Sequence, residues 1–135
     1  SGSPEKLRIL LLSDLHLNYE NLSLLKKWHQ ATNHGHVYDY LFITGDIANL
    51  PNNGEEKPED LSMAEGQLQA LFMNDLEEYA TTLYYLPGNH DPITLFKKDR
   101  NTLPVLTSHF EANVHRGIVN LRPGLSIMGL GGCVQ

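Results

Sequence analysis

Three short apolar runs punctuate the chain, and each stops abruptly at polar residues. Leu7-Arg8-Ile9-Leu10-Leu11-Leu12-Ser13 is almost continuously apolar, the pattern of a strand covered on both faces. Tyr38-Asp39-Tyr40-Leu41-Phe42-Ile43-Thr44 predicts a second strand, and residues 81–86 a third that Pro87-Gly88 ends. Between them the period changes. Residues 21–31 place Leu22, Leu25, Trp28 and His29 near helical spacing, with Asn21 as N-cap and a polar break at residues 33–36. Residues 50–60 are rich in Pro, Asn, Gly and charge and predict an exposed loop. Residues 61–79 then carry Leu61, Ala64, Leu68, Leu71, Phe72, Leu76 and Tyr79 at helical spacing, weakened only by Gly66. A short helical turn is expected after Pro92. Two short strands, residues 117–121 and 125–129, flank an Arg122-Pro123-Gly124 turn. Strands alternating with helices predict an α/β fold with a mostly parallel sheet and right-handed crossovers, made mixed by the hairpin-like tail.

The polar residues that end the three strands carry the chemistry. They are Asp14-Leu15-His16, Gly45-Asp46 and Gly88-Asn89-His90-Asp91. In an open α/β sheet the carboxyl ends of the strands share one edge, where ligands bind. Asp14, His16, Asp46, Asn89 and His90 are therefore expected around one crevice. Asp14 and His16 lie two apart, so an extended backbone points both side chains the same way. Carboxylate, imidazole and amide oxygen suit divalent ions such as Mn²⁺, Fe²⁺ or Zn²⁺. Asp46 can offer one oxygen to each of two ions, and Gly45 and Gly88 let the backbone turn beneath the ligands. Any one of these clusters alone reads as an ordinary strand end or turn; three after successive strands do not.

Composition narrows the picture modestly. The 135 residues have the length of one domain, 41% hydrophobic and 19% charged, with a net charge of −6. No long basic run is present, which disfavours non-specific nucleic-acid or membrane-surface binding. No apolar run reaches the roughly 18 residues of a membrane span. The single cysteine, Cys133, excludes an intrachain disulfide, reads as inert and fits a reducing, cytoplasmic setting. Ser1-Gly2-Ser3 reads as a cloning scar.

Ser13-Asp14-Leu15-His16, Thr44-Gly45-Asp46 and Pro87-Gly88-Asn89-His90-Asp91, in that order and at those intervals, resemble the signature of the calcineurin-like metallophosphoesterases. The glycine turn Gly129-Leu130-Gly131-Gly132 resembles a weaker family feature. The resemblance implies a β-sandwich flanked by helices, of which residues 4–135 would be the N-terminal part, mainly the first sheet and its helices. It implies two divalent metal ions (Mn, Fe or Zn) and a phosphate-ester substrate. Asp14 and His16 would bind the first ion, Asp46 would bridge, and Asn89 would bind the second ion and contact the phosphate. His90 would protonate the leaving oxygen or stabilise the transition state, held by Asp91.

One departure matters. The family supplies a further histidine and a Gly-His-x-His pair downstream, and no Gly-His-x-His follows Asp91 here. His109 and His115 precede the Gly129 turn and are not expected to be ligands, while His29 and His34 are expected at the surface of the first helix and its end. The favoured expectation is an enzyme portion that is only weakly active alone. It would leave an inner sheet face bare and self-associate through it. The rival is a catalytically inactive protein-binding module on the same fold, and a nuclease activity is disfavoured by the acidic balance.

Overall fold

The computed structural model describes residues 6–51 and 55–132. Three strands, β1 (Ile9–Ser13), β2 (Tyr38–Thr44) and β3 (Ala80–Leu86), form a parallel sheet in the order β1-β2-β3. Helix α1 (Tyr19–Asn33) connects the first pair and α2 (Pro58–Leu71) the second. In register, Leu10 pairs with Leu41 and Leu41 with Leu83, so these side chains share the helix-covered face. With Ile43, Ile47, Leu68, Leu71, Phe72 and Leu76 they make the core, each large side chain contributing about 1.5–3 kcal/mol on burial.

The other face of β1 is not covered. Ile9 is 45% and Leu11 64% exposed, which corrects the expectation of a strand buried on both sides. β1 is an edge strand of the sheet, and its outward side chains are apolar yet exposed. Along that face the Tyr40, Phe42 and Tyr84 rings stack. The Tyr40 hydroxyl donates to the Leu121 carbonyl, tying the tail to the sheet.

That tail, β4 (Gly117–Arg122) and β5 (Leu125–Gly129), is antiparallel but forms its own two-stranded sheet rather than extending the parallel one. Single bridges, Tyr85 with Asn113 and His115 with Gly129, link it to the outer edge of β3.

The helices start earlier than their periodicity suggests. The cap of α1 is Asn18, whose side chain accepts the Asn21 amide; Asn21 itself lies inside the helix. Pro58 sits in the first turn of α2, where a missing N–H costs nothing, so the exposed loop ends at Lys57. After Leu71 the chain widens into a π turn (Phe72–Leu76) and tightens into a 3-10 turn (Glu77–Tyr79) before β3. The buried stripe of α1 is Leu22, His29 and Asn33, with Trp28 47% exposed. His29 is thus not a surface residue. It packs between the Tyr38 and Tyr79 rings at 5.6 and 5.1 Å. His34 is exposed at the left-handed end of α1. Cys133 lies outside the described residues.

Candidate metal centre

The loops after β1 and β2 run side by side. The Asp14 amide donates to the Thr44 and Gly45 carbonyls, His16 to Asp46 at 2.9 Å and Leu17 to Ile47 at 2.9 Å. Holding that ladder through two tight bends forces left-handed backbone at Asp14, His16, Leu17 and Asp46, with φ between 47° and 53°. Non-glycine residues in this region store about 1–3 kcal/mol each and persist where the surroundings over-determine them. Asp14 and His16 therefore point together because the chain is bent, not because the strand continues. Gly45, at φ 58°, supplies the bend in β2's exit without that strain, and its amide donates to the Leu86 carbonyl.

The result is a compact donor set. One ligand atom from each of Asp14, His16 and Asp46 lies within 4.8 Å of the others. His16 Nε2 is 3.9 Å from Asp14 Oδ1. His16 Nδ1 is buried with no hydrogen-bond partner among the described residues, so no structural bond claims the ring. Two carboxylates this close repel one another, and a divalent cation would reverse the sign of that interaction. The hard oxygen and imidazole donors fit such an ion.

The loop after β3 closes on the same place. Gly88 packs directly against Asp46, and the His90 amide donates to Asp46 Oδ1 at 3.0 Å. Half-buried Asn89 sits between these two anchors. The His90 ring lies 6.0 Å, edge-on, from that of His16.

A family profile for calcineurin-like phosphoesterases matches residues 7–131. The chain belongs to the calcineurin-like phosphoesterase family. No curated protein matches it significantly. The matched span contains all three strand-end clusters, and with them the Asp14, His16 and Asp46 donor set.

The His90 ring is held by a backbone carbonyl, Leu50 O at 2.7 Å from Nδ1. A carbonyl only accepts, so Nδ1 carries the hydrogen and Nε2 is the atom that gains or loses a proton. Asp91 is fully buried, and its carboxylate accepts the Ala48 amide at 2.6 Å and the Gly88 amide at 2.7 Å. It joins the loop after β2 to the loop after β3. Burial pushes the Asp91 carboxyl above its usual range, backbone amides of Gly88, Ala48 and Ile47 oppose this, and the Asp46 charge adds to it.

His109 and His115 stand apart from the donor set. His109 lies near Glu77, and His115 Nδ1 accepts the Gly131 amide. Sequence reasoning missed Ser13, whose hydroxyl donates to Asp14 Oδ2, although its place next to Asp14 was a signal. It also missed the Leu50 carbonyl, for which no side-chain signal exists. A cavity of about 280 Å³ lined by His16, Leu17, Asn49, Leu50 and Gln67 opens beside the site.

Proposed function

We propose that this chain carries the strand-end half of a two-metal centre that hydrolyses phosphate esters. The observation behind this reading is the meeting of Asp14, His16 and Asp46 at the carboxyl ends of adjacent parallel strands, with the His90 ring beside them. Asp14 and His16 would hold one divalent ion, Asp46 would bridge to a second, and Asn89 would complete this chain's share. Mn²⁺, Fe²⁺ and Zn²⁺ all suit these donors. Ions bound there would acidify water and neutralise charge on a phosphoryl oxygen.

The residues around the ions have their own tasks. Asp46 keeps its orientation through the His90 amide. His90 keeps its ring plane through Leu50, leaving Nε2 to hand a proton to the departing ester oxygen. Asp91 fixes the separation of the two loops that bear Asp46 and Asn89. Without a Gly-His-x-His after Asp91 the sequence offers few imidazoles, so this chain alone should hold ions weakly and turn over slowly. Among the described residues no helix is long and apolar enough to cross a membrane, and a cytoplasmic setting is part of the proposal.

The test is Mn²⁺ calorimetry together with hydrolysis of a chromogenic phosphomonoester and phosphodiester. Wild type is compared with Asp46→Ala and His90→Ala. Metal binding lost in Asp46→Ala, and turnover lost in His90→Ala with metal retained, would support the reading. Metal binding without hydrolysis of any phosphate ester would favour the inactive binding module.

A further inference from the structure

His115 is 7% exposed, lies outside the donor set, and is placed to act on it indirectly. Its Nδ1 accepts the Gly131 amide at 2.9 Å, and the Phe96 ring edge packs against it at 4.9 Å. The glycine turn it holds lies hard against the end of β3. The Gly132 amide donates to the Pro87 carbonyl at 3.0 Å, and a Cβ on Gly131 would come within 2.2 Å of that same oxygen. Pro87 leads directly into Gly88, Asn89 and His90. The His115 bond is therefore one of those that anchor a backbone segment leaning on the peptide from which the metal-site turn departs.

The far side of His115 is equally fixed. Its amide donates to Asn113 Oδ1 at 3.0 Å, the Asn113 amide group donates to the Leu95 carbonyl at 2.8 Å, and the Arg100 guanidinium donates to the carbonyls of Asn113 and His115. His115 is thus a strut, its backbone held near the outer edge of β3 and its imidazole on the glycine turn. A strut of this kind works only if Nδ1 is an acceptor. Without it the half-buried Gly131 amide would lose that partner, at about the cost of one ordinary hydrogen bond.

We propose that His115 is a positioning residue for the metal-site turn, acting through Gly131 and Pro87 without touching metal or substrate. The proposal rests on the metal-centre reading above. Burial first, then the charges of Arg116 and Arg100, hold the His115 imidazole below its ordinary pKa, which keeps Nδ1 unprotonated near neutrality. Phe96 and the glycine turn bring no charge to the ring.

The experiment compares wild type, His115→Asn and His115→Leu. An asparagine oxygen can stand where Nδ1 stands and accept the Gly131 amide, but it does not titrate. Two quantities are read: hydrogen exchange at the Gly88, His90 and Asp91 amides without metal, and Mn²⁺ affinity by calorimetry. His115→Leu should exchange faster at those amides and bind Mn²⁺ about tenfold more weakly, the scale on which outer supports tune metal sites. His115→Asn should restore both. Leucine without effect, or asparagine as impaired as leucine, would overturn the proposal. If His115→Leu does not fold, the pH dependence decides. Protection at the His90 amide should fall more steeply on acidification in wild type than in His115→Asn, and superimposable curves would overturn the proposal. If wild type binds no Mn²⁺, the metal-centre reading fails, while the exchange data still decide whether His115 fixes the turn.

Discussion

A methyl group on Gly88 would lie 2.4 Å from the Asp46 amide nitrogen and 2.5 Å from Asp46 Oδ1. Gly88 is a glycine because of what it touches, not because of a left-handed backbone, which it does not have. Gly88→Ala must push the β3 loop away from the residue proposed to bridge the ions. It should cost about 1–3 kcal/mol in urea unfolding, as over-packing does, and weaken Mn²⁺ binding. Gly66 is the control. It lies inside α2 with nothing within 4 Å of a Cβ, so Gly66→Ala should stabilise the fold by about 0.5–1 kcal/mol and leave metal binding unchanged.

This pair also marks how far the sequence could be read. The three strand ends were legible because each apolar run stops at a cluster of ligand-type residues, and parallel strands bring such ends to one edge. The left-handed bends at Asp14, His16 and Asp46 were not legible, since they follow from the ladder between the two loops. Nor was the burial of His29, which depends on Tyr38 and Tyr79 arriving from elsewhere. The bare face of β1 was hidden for the opposite reason, because an apolar run looks the same whether one face is covered or two.

Asp91 is expected to matter first for stability. Asp91→Ala strips acceptors from the buried bonds of Ala48 and Gly88 and should cost about 3 kcal/mol or more in urea unfolding. Asp91→Asn keeps one acceptor oxygen but turns an amide donor toward the other N–H, and should fall in between. A catalytic role alone would leave both variants as stable as wild type.

Glu77 gives a pH signature far from the metal. Its carboxylate accepts the Thr107 hydroxyl and both the amide and hydroxyl of Ser108, tying the turn before β3 to the segment beyond Thr107. Burial pushes its pKa up, but those bonds and the nearby His109 outweigh this, so the net shift is downward. A carboxyl depressed on folding adds stability that is complete above its unfolded value and is lost as the pH falls through the folded one. Unfolding free energy should therefore decline as the pH falls below the ordinary glutamate pKa, and less so in Glu77→Gln. The group is only half-buried, so the difference should be small and shrink with added salt.

The bare outer face of the sheet should promote association. Ile9 and Leu11 are exposed on it beside the stacked aromatic rings, and contiguous apolar surface drives contact between molecules. Light scattering should show an apparent mass that rises with concentration, and Leu11→Lys should flatten that rise. Equal concentration dependence in the two proteins would count against association through this face.

The most direct reading of the site comes from Asp14→Asn. In the absence of metal this change should not destabilise the protein and should slightly stabilise it. Asp14 is exposed and its backbone is left-handed, a region asparagine tolerates as well as aspartate. The substitution also removes one of the two neighbouring carboxylates of the donor set. Added Mn²⁺ should reverse the order. A ligand that binds only the folded state stabilises it by about 1.4 kcal/mol at ten times its Kd and about 2.7 kcal/mol at a hundred times. For a domain of this size that is a rise of several degrees in Tm. Wild type should therefore melt progressively higher as Mn²⁺ is titrated, and Asp14→Asn should hardly respond. Equal Mn²⁺ shifts in the two proteins would mean that the ion is held elsewhere. A metal-free Asp14→Asn much less stable than wild type would mean that the carboxylate serves the fold rather than the ion.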